Sequence, residues 1–278
     1  MKALAFGEGW GIEVVREPAA DVDAILTVPR FPIDAAQIEA LPMLRAIGTA
    51  SVGFDHIDLD AAAARGIAVV SVPDYCTEEV ADHTLALMLG LVRGVVVLDR
   101  SVSSGQWDPR AAGPLRTLSG MRVGIVGLGR IGNAVAGRLL ALGCEVWASD
   151  IGPVSREGVR LVPLDELLRS CDVVSVHVPL TPDTRGLIGR TEIESMPRGA
   201  YLVNTARGPV VDVGALLDAL RSKRLGGAAL DVLPGEPPAA PPVAPNLIVT
   251  PHAAFYSPES EALAFRLCVE RVREAVGA

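Results

Sequence analysis

Arg122-Val123-Gly124-Ile125-Val126-Gly127-Leu128-Gly129-Arg130-Ile131-Gly132, with a helical aliphatic pattern running on to Leu142 and then Glu145–Ser149 and Asp150, is the stretch that decides the fold. A β-branched run that meets a glycine turn and then a helix is the opening of a dinucleotide-binding βαβ unit. Gly127 permits the tight turn, Gly129 lets backbone approach a pyrophosphate, and Gly132 allows the helix to pack closely on the strand. The helix N-terminus adds unpaired N–H groups and positive dipole. Glycines at this spacing are a weak signal alone, and the flanking strand and helix are what give it weight. Asp150 lies eighteen residues beyond Gly132, at the end of the next strand. A carboxylate there accepts from both ribose hydroxyls of adenosine and repels a 2′-phosphate, which favours NAD over NADP; an Asp that merely caps a loop is the alternative. No Arg follows until Arg156.

Outward from this unit, strand patterns recur at Asp172–His177, Tyr201–Asn204, Gly227–Asp231 and Leu247–Thr250. Helical patterns separate them at Asp165–Arg169, Thr191–Met196 and Asp212–Arg221. Alternation of this kind predicts an α/β fold with a doubly wound parallel sheet. The segment before it is a smaller α/β pattern. Its strands read at Lys2–Phe6, Ile12–Val15, Ala24–Val28, Leu44–Ile47 and Ile67–Val70, and its helices at Asp34–Leu41 and Asp58–Arg65. One long helix is expected from about Glu78 to Ser101, ended by Ser103-Ser104-Gly105 and Trp107-Asp108-Pro109. Pro258 to Val276 reads as a final amphipathic helix, and Pro237–Pro245 as an extended loop.

Half of the 278 residues are hydrophobic and 21% are charged, enough for two ordinary cores. The apolar stretch from Leu85 to Leu98 is interrupted by Arg93 and flanked by charge, so it reads as a buried helix and no membrane span is expected. The first residues, Met-Lys-Ala-Leu-Ala-Phe before Gly7, are too short an apolar run for a secretory leader, and a cytoplasmic protein is expected. Cys76, Cys144, Cys171 and Cys268 form no C-x-x-C pair, so neither a metal site nor a disulfide framework is expected. A net charge of -8 without a basic block speaks against direct nucleic-acid binding.

Ligands of open α/β sheets bind outside the carboxyl ends of the strands. Three such ends carry ionisable residues: Arg207 in Asn204-Thr205-Ala206-Arg207-Gly208, Glu236 in Asp231-Val232-Leu233-Pro234-Gly235-Glu236, and His252 in Thr250-Pro251-His252-Ala253-Ala254. Together they suit reduction of a 2-keto acid. Arg207 binds the carboxylate and polarises the keto oxygen with its planar fork. His252 protonates that oxygen and removes the proton in reverse. Glu236 holds the tautomer of His252 and favours its imidazolium. Taken singly, Arg207 could bridge surface carboxylates, Glu236 could be solvated, and His252 could cap the last strand.

These motifs, with Asp172-Val173-Val174-Ser175-Val176-His177-Val178-Pro179-Leu180-Thr181, resemble the D-isomer-specific 2-hydroxyacid dehydrogenases over nearly the whole chain. The resemblance implies that Arg207, Glu236 and His252 are catalytic. It implies a Rossmann NAD-binding domain over 93–255, inserted in a smaller flavodoxin-like substrate domain of 1–92 completed by 256–278. It also implies a homodimer through the long helix near 78–101. Val52 and Gly53 match the turn whose backbone N–H groups hold the substrate carboxylate. Arg130 and Ile131 match the pyrophosphate-contacting pair. Thr205, Ala206 and Asp231 match the nicotinamide neighbourhood, with Asp231 facing the carboxamide. Thr184 sits in the loop beside the cofactor, with His177, Val178 and Pro179 on the cofactor side and Ala254 next to His252. His56 and His83 are read as structural.

Glu78-Glu79-Val80-Ala81-Asp82 and Pro251-His252-Ala253-Ala254-Phe255-Tyr256-Ser257 are most similar to the C-terminal-binding protein branch, where a Trp occupies the position of Phe255. That leaves open which 2-keto acid side chain the pocket near Arg30, Val52, Tyr75 and Phe255 prefers. A second departure is at the front, where Phe6 runs through Gly7-Glu8-Gly9-Trp10-Gly11 with no room for the usual first helix. The expected function is an NAD-dependent reductase of a small anionic 2-keto acid. An NAD(H)-sensing corepressor-like protein is the alternative, although a sensor has no need of all three ionisable residues. Formate oxidation releases no hydroxyl proton and fits them poorly; phosphite stays open.

Overall fold

The computed structural model describes residues 1–277, which form two compact units. The smaller comprises Met1–Cys76 and the segment from Tyr256 onward; the larger is Thr77–Phe255. The first boundary therefore lies at 76/77 and not at the expected 92/93. The helix Thr77–Val92 (α3) belongs to the larger unit because its apolar face, with Met88, Leu91 and Val92, is part of that unit's core.

The smaller unit is built on four parallel strands in the order β1 (Ala3–Ala5), β2 (Ala24–Thr27), β3 (Ala46–Thr49) and β4 (Ala68–Val70). Helices α1 (Ala35–Glu39) and α2 (Leu59–Ala64) connect them, each opened by an aspartate, Asp34 or Asp58, that accepts from a first-turn backbone N–H. The strand expected at Ile12–Val15 shrinks to one bridge, Val15 beside Leu4 on the outer edge of β1. The Arg16 guanidinium donates to the carbonyls of Ala5 and Gly7, acceptors that a longer strand would need. With that bridge counted, the spatial order is second, first, third, fourth, fifth, the flavodoxin-like arrangement. No helix lies between β1 and Val15. Trp10 gives that connection its apolar anchor: it is 4% exposed and meets Phe265 edge-on, with ring centroids 4.8 Å apart.

Phe265 belongs to the last helix, α9 (Pro258–Val276), which covers this sheet. The approach is close over β3, where a Cβ on Gly48 would lie 2.3 Å from Val272 Cγ2 and 2.8 Å from Cys268 Sγ. Any larger residue at 48 would push the helix off the sheet. Burial pushes the Cys268 thiol up to about 12, so it stays protonated there.

In the larger unit seven parallel strands run in the order β11-β10-β9-β8-β5-β6-β7. They are β5 (Arg122–Val126), β6 (Glu145–Ser149), β7 (Val159–Leu161), β8 (Val173–Val176), β9 (Tyr201–Asn204), β10 (Gly227–Leu230) and β11 (Leu247–Val249). This is a doubly wound sheet whose order reverses between β5 and β8, and that switch point is where a crevice opens. Helices α5 (Arg130–Ala141), α6 (Leu164–Ser170), α7 (Arg190–Ser195) and α8 (Val213–Arg221) alternate with the strands. The expected single helix over 78–101 is two, because α3 ends at Val92 and α4 spans Val95–Ser103. Gly94 between them has φ +61°, and a Cβ there would lie 2.6 Å from that of Ala112, so only glycine allows both the break and the contact. No helix among the described residues is long and apolar enough to cross a membrane.

Candidate active site

At the switch point the glycine turn is shaped as its spacing predicts. A Cβ on Gly132 would fall 2.1 Å from the Gly127 carbonyl oxygen, and one on Gly127 would fall 2.8 Å from that of His177. At Gly129, the N-cap of α5, nothing lies within 4 Å, so the open side of the turn is over the helix N-terminus. Arg130 begins that helix and is exposed, while Ile131 is half-buried beside it. Asp150 follows β6 directly. Leu128 N–H donates to its Oδ2 (2.7 Å) and Gly152 N–H to its Oδ1 (2.8 Å), which fixes the carboxylate against the turn. Beyond it a cleft of about 300 Å³ is lined by Asp150, Gly152, Val154 and Leu161 among others. Arg156 is engaged elsewhere: its guanidinium donates to the backbone (2.9 Å) and side-chain oxygens of Asn133 on α5.

The end of β8 closes the other side of the turn. His177 N–H donates to Val126 O (2.7 Å), and its ring shares a hydrogen bond with Ser175 Oγ (2.9 Å). Burial holds the His177 imidazole down to about 4, so it is neutral near pH 7 and is a structural part of the wall. Val178 faces Gly127, and Thr184 Oγ donates to Pro179 O (2.6 Å), which folds the 179–184 loop back on itself.

The three strand ends read from the sequence do converge. After β9, the buried Asn204 forms a side-chain clasp, accepting from Ala206 N–H (3.0 Å) and donating to Arg207 O (2.9 Å). Arg207 is half-buried and one of its guanidinium nitrogens donates to Ala206 O (2.8 Å). Gly208 brings this turn onto the loop after β10, since a Cβ there would lie 2.1 Å from the Leu233 carbonyl carbon. In that loop Leu233 N–H donates to Glu236 Oε1 (2.6 Å), and His252 Nδ1–H donates to Glu236 Oε2 (2.6 Å). Burial pushes the Glu236 carboxyl up, but the bonds from His252 and Leu233 and the nearby charges of His252 and Arg207 outweigh it and hold the carboxyl below its ordinary value. Glu236 is therefore ionised at neutral pH, which leaves the Nε2 edge of His252 turned away from its partner and available for proton transfer.

His252 has φ +52°, a left-handed conformation that costs a non-glycine residue energy and has to be held by its surroundings. The holder is Asp231, which is 1% exposed. Its backbone oxygen accepts from His252 N–H (2.8 Å); its carboxylate accepts from Thr250 Oγ (2.6 Å), Ala253 N–H (2.9 Å) and Ala254 N–H (3.0 Å). These bonds tie the Asp231 carboxylate to the 250–254 loop. Phe255 meets the His252 ring edge-on, with centroids 6.0 Å apart.

Thr205 and Ala206 sit in the Asn204 clasp. Val52 and Gly53 belong to the smaller unit, in a loop braced by Ser51 Oγ donating to Gly53 O (2.6 Å) and by a Thr49–His56 hydrogen bond (3.1 Å). Sequence reading gave His83 no more than a structural part and did not single out Thr84 or Thr250. Thr84 is fully buried in an otherwise apolar helix face, which is the signal that could have drawn attention to it.

Residues 85–254 match the family model described as the D-isomer specific 2-hydroxyacid dehydrogenase NAD binding domain. The chain belongs to that family. Its relatives include the glycerate dehydrogenase of Methylorubrum extorquens, 40% identical over 246 residues, which cover 85% of this chain and 77% of the relative. The glyoxylate reductase of Korarchaeum cryptofilum is 40% identical over 275 residues, 94% and 81% of the two chains. Among solved structures, the D-lactate dehydrogenase of Aquifex aeolicus complexed with NAD and lactic acid superposes with a TM-score of 0.87 at 32% identity, over 96% of this chain and 89% of that one. The protein is accordingly an NAD-dependent oxidoreductase of the 2-hydroxyacid dehydrogenase type. The corepressor-like alternative draws no support from relatives named as dehydrogenases and reductases. The NAD site fits the residues present: two glycines too crowded for any side chain, a third left open at a helix N-terminus, and a carboxylate fixed beside them.

Proposed function

We propose that the protein reduces a small 2-keto acid to the D-2-hydroxy acid and runs the reverse oxidation, with His252 as proton donor and acceptor. The observation that carries this is the 2.6 Å His252–Glu236 pair beside Arg207, where the loops after β9, β10 and β11 meet. Bound NADH supplies the hydride. The protein's own part is to hold the dinucleotide by the Gly127–Gly132 turn and Asp150, to anchor the substrate carboxylate and polarise its keto oxygen through Arg207, and to deliver a proton to that oxygen from His252 Nε2. Glu236 fixes the tautomer, because Nδ1–H donates to it. Val52 and Gly53, in the smaller unit, are proposed to offer backbone N–H groups to a carboxylate, supported by the bracing of their loop. Glyoxylate and hydroxypyruvate are the proposed substrate class, being small, anionic and keto-bearing.

The test is oxidation of NADH followed at 340 nm with glyoxylate, hydroxypyruvate, pyruvate and phenylpyruvate. Turnover on the small acids is the expected result, and silence across all four, with NADH bound, would overturn the proposal.

Asp150 is proposed to accept from the adenosine ribose, its carboxylate being fixed at the turn while Arg156 is tied to Asn133. Asp150→Ala is expected to raise KM for NADH by about tenfold or more, the loss of one or two charge-assisted hydrogen bonds. The KM for NADPH should change little, and an unchanged NADH to NADPH ratio would remove Asp150 from the site. We also propose a homodimer formed through the α3–α4 region, where α4 has no buried residue and leaves Val95 and Val102 exposed, with Trp107 90% exposed just beyond. Sedimentation equilibrium should give twice the chain mass; a monomer at micromolar concentration would refute it.

A further inference from the structure

We infer that His83, on α3, is a positioning residue for the loop that carries His252. The inference rests on the reading of His252 as the proton donor, but its geometry is independent of any ligand. His83 Nε2 lies 3.1 Å from Thr250 Oγ and 3.6 Å from Asp231 Oδ1. Thr250 has one hydroxyl proton, and Asp231 Oδ1 accepts it at 2.6 Å. The contact between His83 and Thr250 therefore has the imidazole Nε2–H as donor and the hydroxyl oxygen as acceptor. A chain of donors follows, from His83 to Thr250 to Asp231, whose carboxylate then accepts the Ala253 and Ala254 N–H groups and whose backbone oxygen accepts the His252 N–H (2.8 Å).

This chain has a job that packing alone does not do. His252 sits in a left-handed conformation, and its backbone is held there by bonds to Asp231 on one side and by the Ala253 and Ala254 amides on the other. The Asp231 carboxylate can take the Ala253 and Ala254 amides only while its side chain keeps one rotamer, and Thr250 with His83 behind it fixes that rotamer from the α3 side. The adjacent residue acts in parallel on the neighbouring loop. Thr84 Oγ donates to Val80 O (2.7 Å), so it accepts from Thr205 Oγ (2.9 Å), two residues before Arg207. A single turn of α3 thus stands under both loops of the candidate active site.

The experiment compares His83→Phe, which keeps a ring of similar size without a donor, with His83→Gln, whose amide N–H reaches a similar position. Amide hydrogen exchange in the NAD-free protein is read at Thr250, His252, Ala253 and Ala254. Turnover of glyoxylate or hydroxypyruvate with NADH is read in parallel. His83→Phe is expected to speed exchange of those amides by up to about tenfold, as the loss of one hydrogen bond allows. It should lower kcat by about 10- to 100-fold through misplacement of His252, with KM for NADH within about twofold. His83→Gln should restore most of both. Combining His83→Phe with Thr250→Val should be no worse than Thr250→Val alone, because both break one chain. Unchanged exchange and kcat in His83→Phe would overturn the inference, as would a His83→Gln variant folded as well as wild type yet as impaired as His83→Phe. If wild-type protein reduces no keto acid while the exchange results hold, the proposed function fails and the positioning role of His83 stands.

Discussion

Replacing His252 with Ala is expected to lower keto-acid turnover by about 10²–10⁴-fold, the usual worth of a general acid, while NADH still binds. The imidazole is the group at these strand ends placed to exchange a proton: its Nδ1–H donates to an ionised Glu236, which leaves Nε2 as the exchanging atom. The dinucleotide turn and Asp150 lie on other strands of the sheet, so NADH affinity, read by fluorescence titration, should change by less than about threefold. Glu236→Gln should cost less than His252→Ala, since an amide oxygen can still accept from Nδ1. The pair also sets a sign for acid sensitivity. Glu236 lies below its ordinary carboxyl value in the folded chain, so its stabilising contribution is present above that ordinary value and is lost as pH falls through the lowered one. A fully active His252→Ala enzyme would remove His252 from the chemistry.

Arg207→Ala is expected to reduce kcat/KM by about 10²–10³-fold, the range for deleting one preorganised donor to a developing oxyanion. Its guanidinium is presented by the Asn204 clasp and the forced closeness of Gly208 to Leu233, so its position is set by buried backbone. Lysine is expected to recover little, because a point charge cannot make the two parallel bonds of a planar fork to a carboxylate and keto oxygen. Removal of this charge should also let the Glu236 carboxyl rise, since Arg207 is one of the charges that hold it down. A Lys variant with wild-type kcat/KM would show that charge alone suffices and would sink the bidentate assignment.

Much of this was legible in the sequence because strands such as Arg122–Val126 and helices such as Pro258–Val276 carry strong hydrophobic periods and clear end signals. The strand Val159–Leu161 is only three residues long, too short to establish a period, and went unread. Ile12–Val15 read as a strand on propensity alone, and hydrogen bonds from Arg16 overrode it. The helix break at Gly94 was visible only as one glycine in an apolar run, and its cause, the approach of Ala112, is a tertiary contact. The same division holds at the site. Arg207, Glu236 and His252 could be found because a parallel sheet brings all its carboxyl ends to one edge. The support from His83 spans 167 residues to Thr250, and no spacing rule encodes a bond over that distance.

The seat of α9 on Gly48 fixes the order in which the molecule can be finished on the ribosome. Gly48 is made 220 residues before Cys268 (268 − 48), and at about 5–20 residues per second that is a wait of roughly 10–40 s. For most of that time all four strands β1–β4 have been made but α9 has not, while Thr77–Phe255 is synthesised and free to collapse on its own core. The nascent chain therefore has all of its second unit before the first can be completed, and a chaperone that shields the early sheet would gain most before Pro258–Val276 is made.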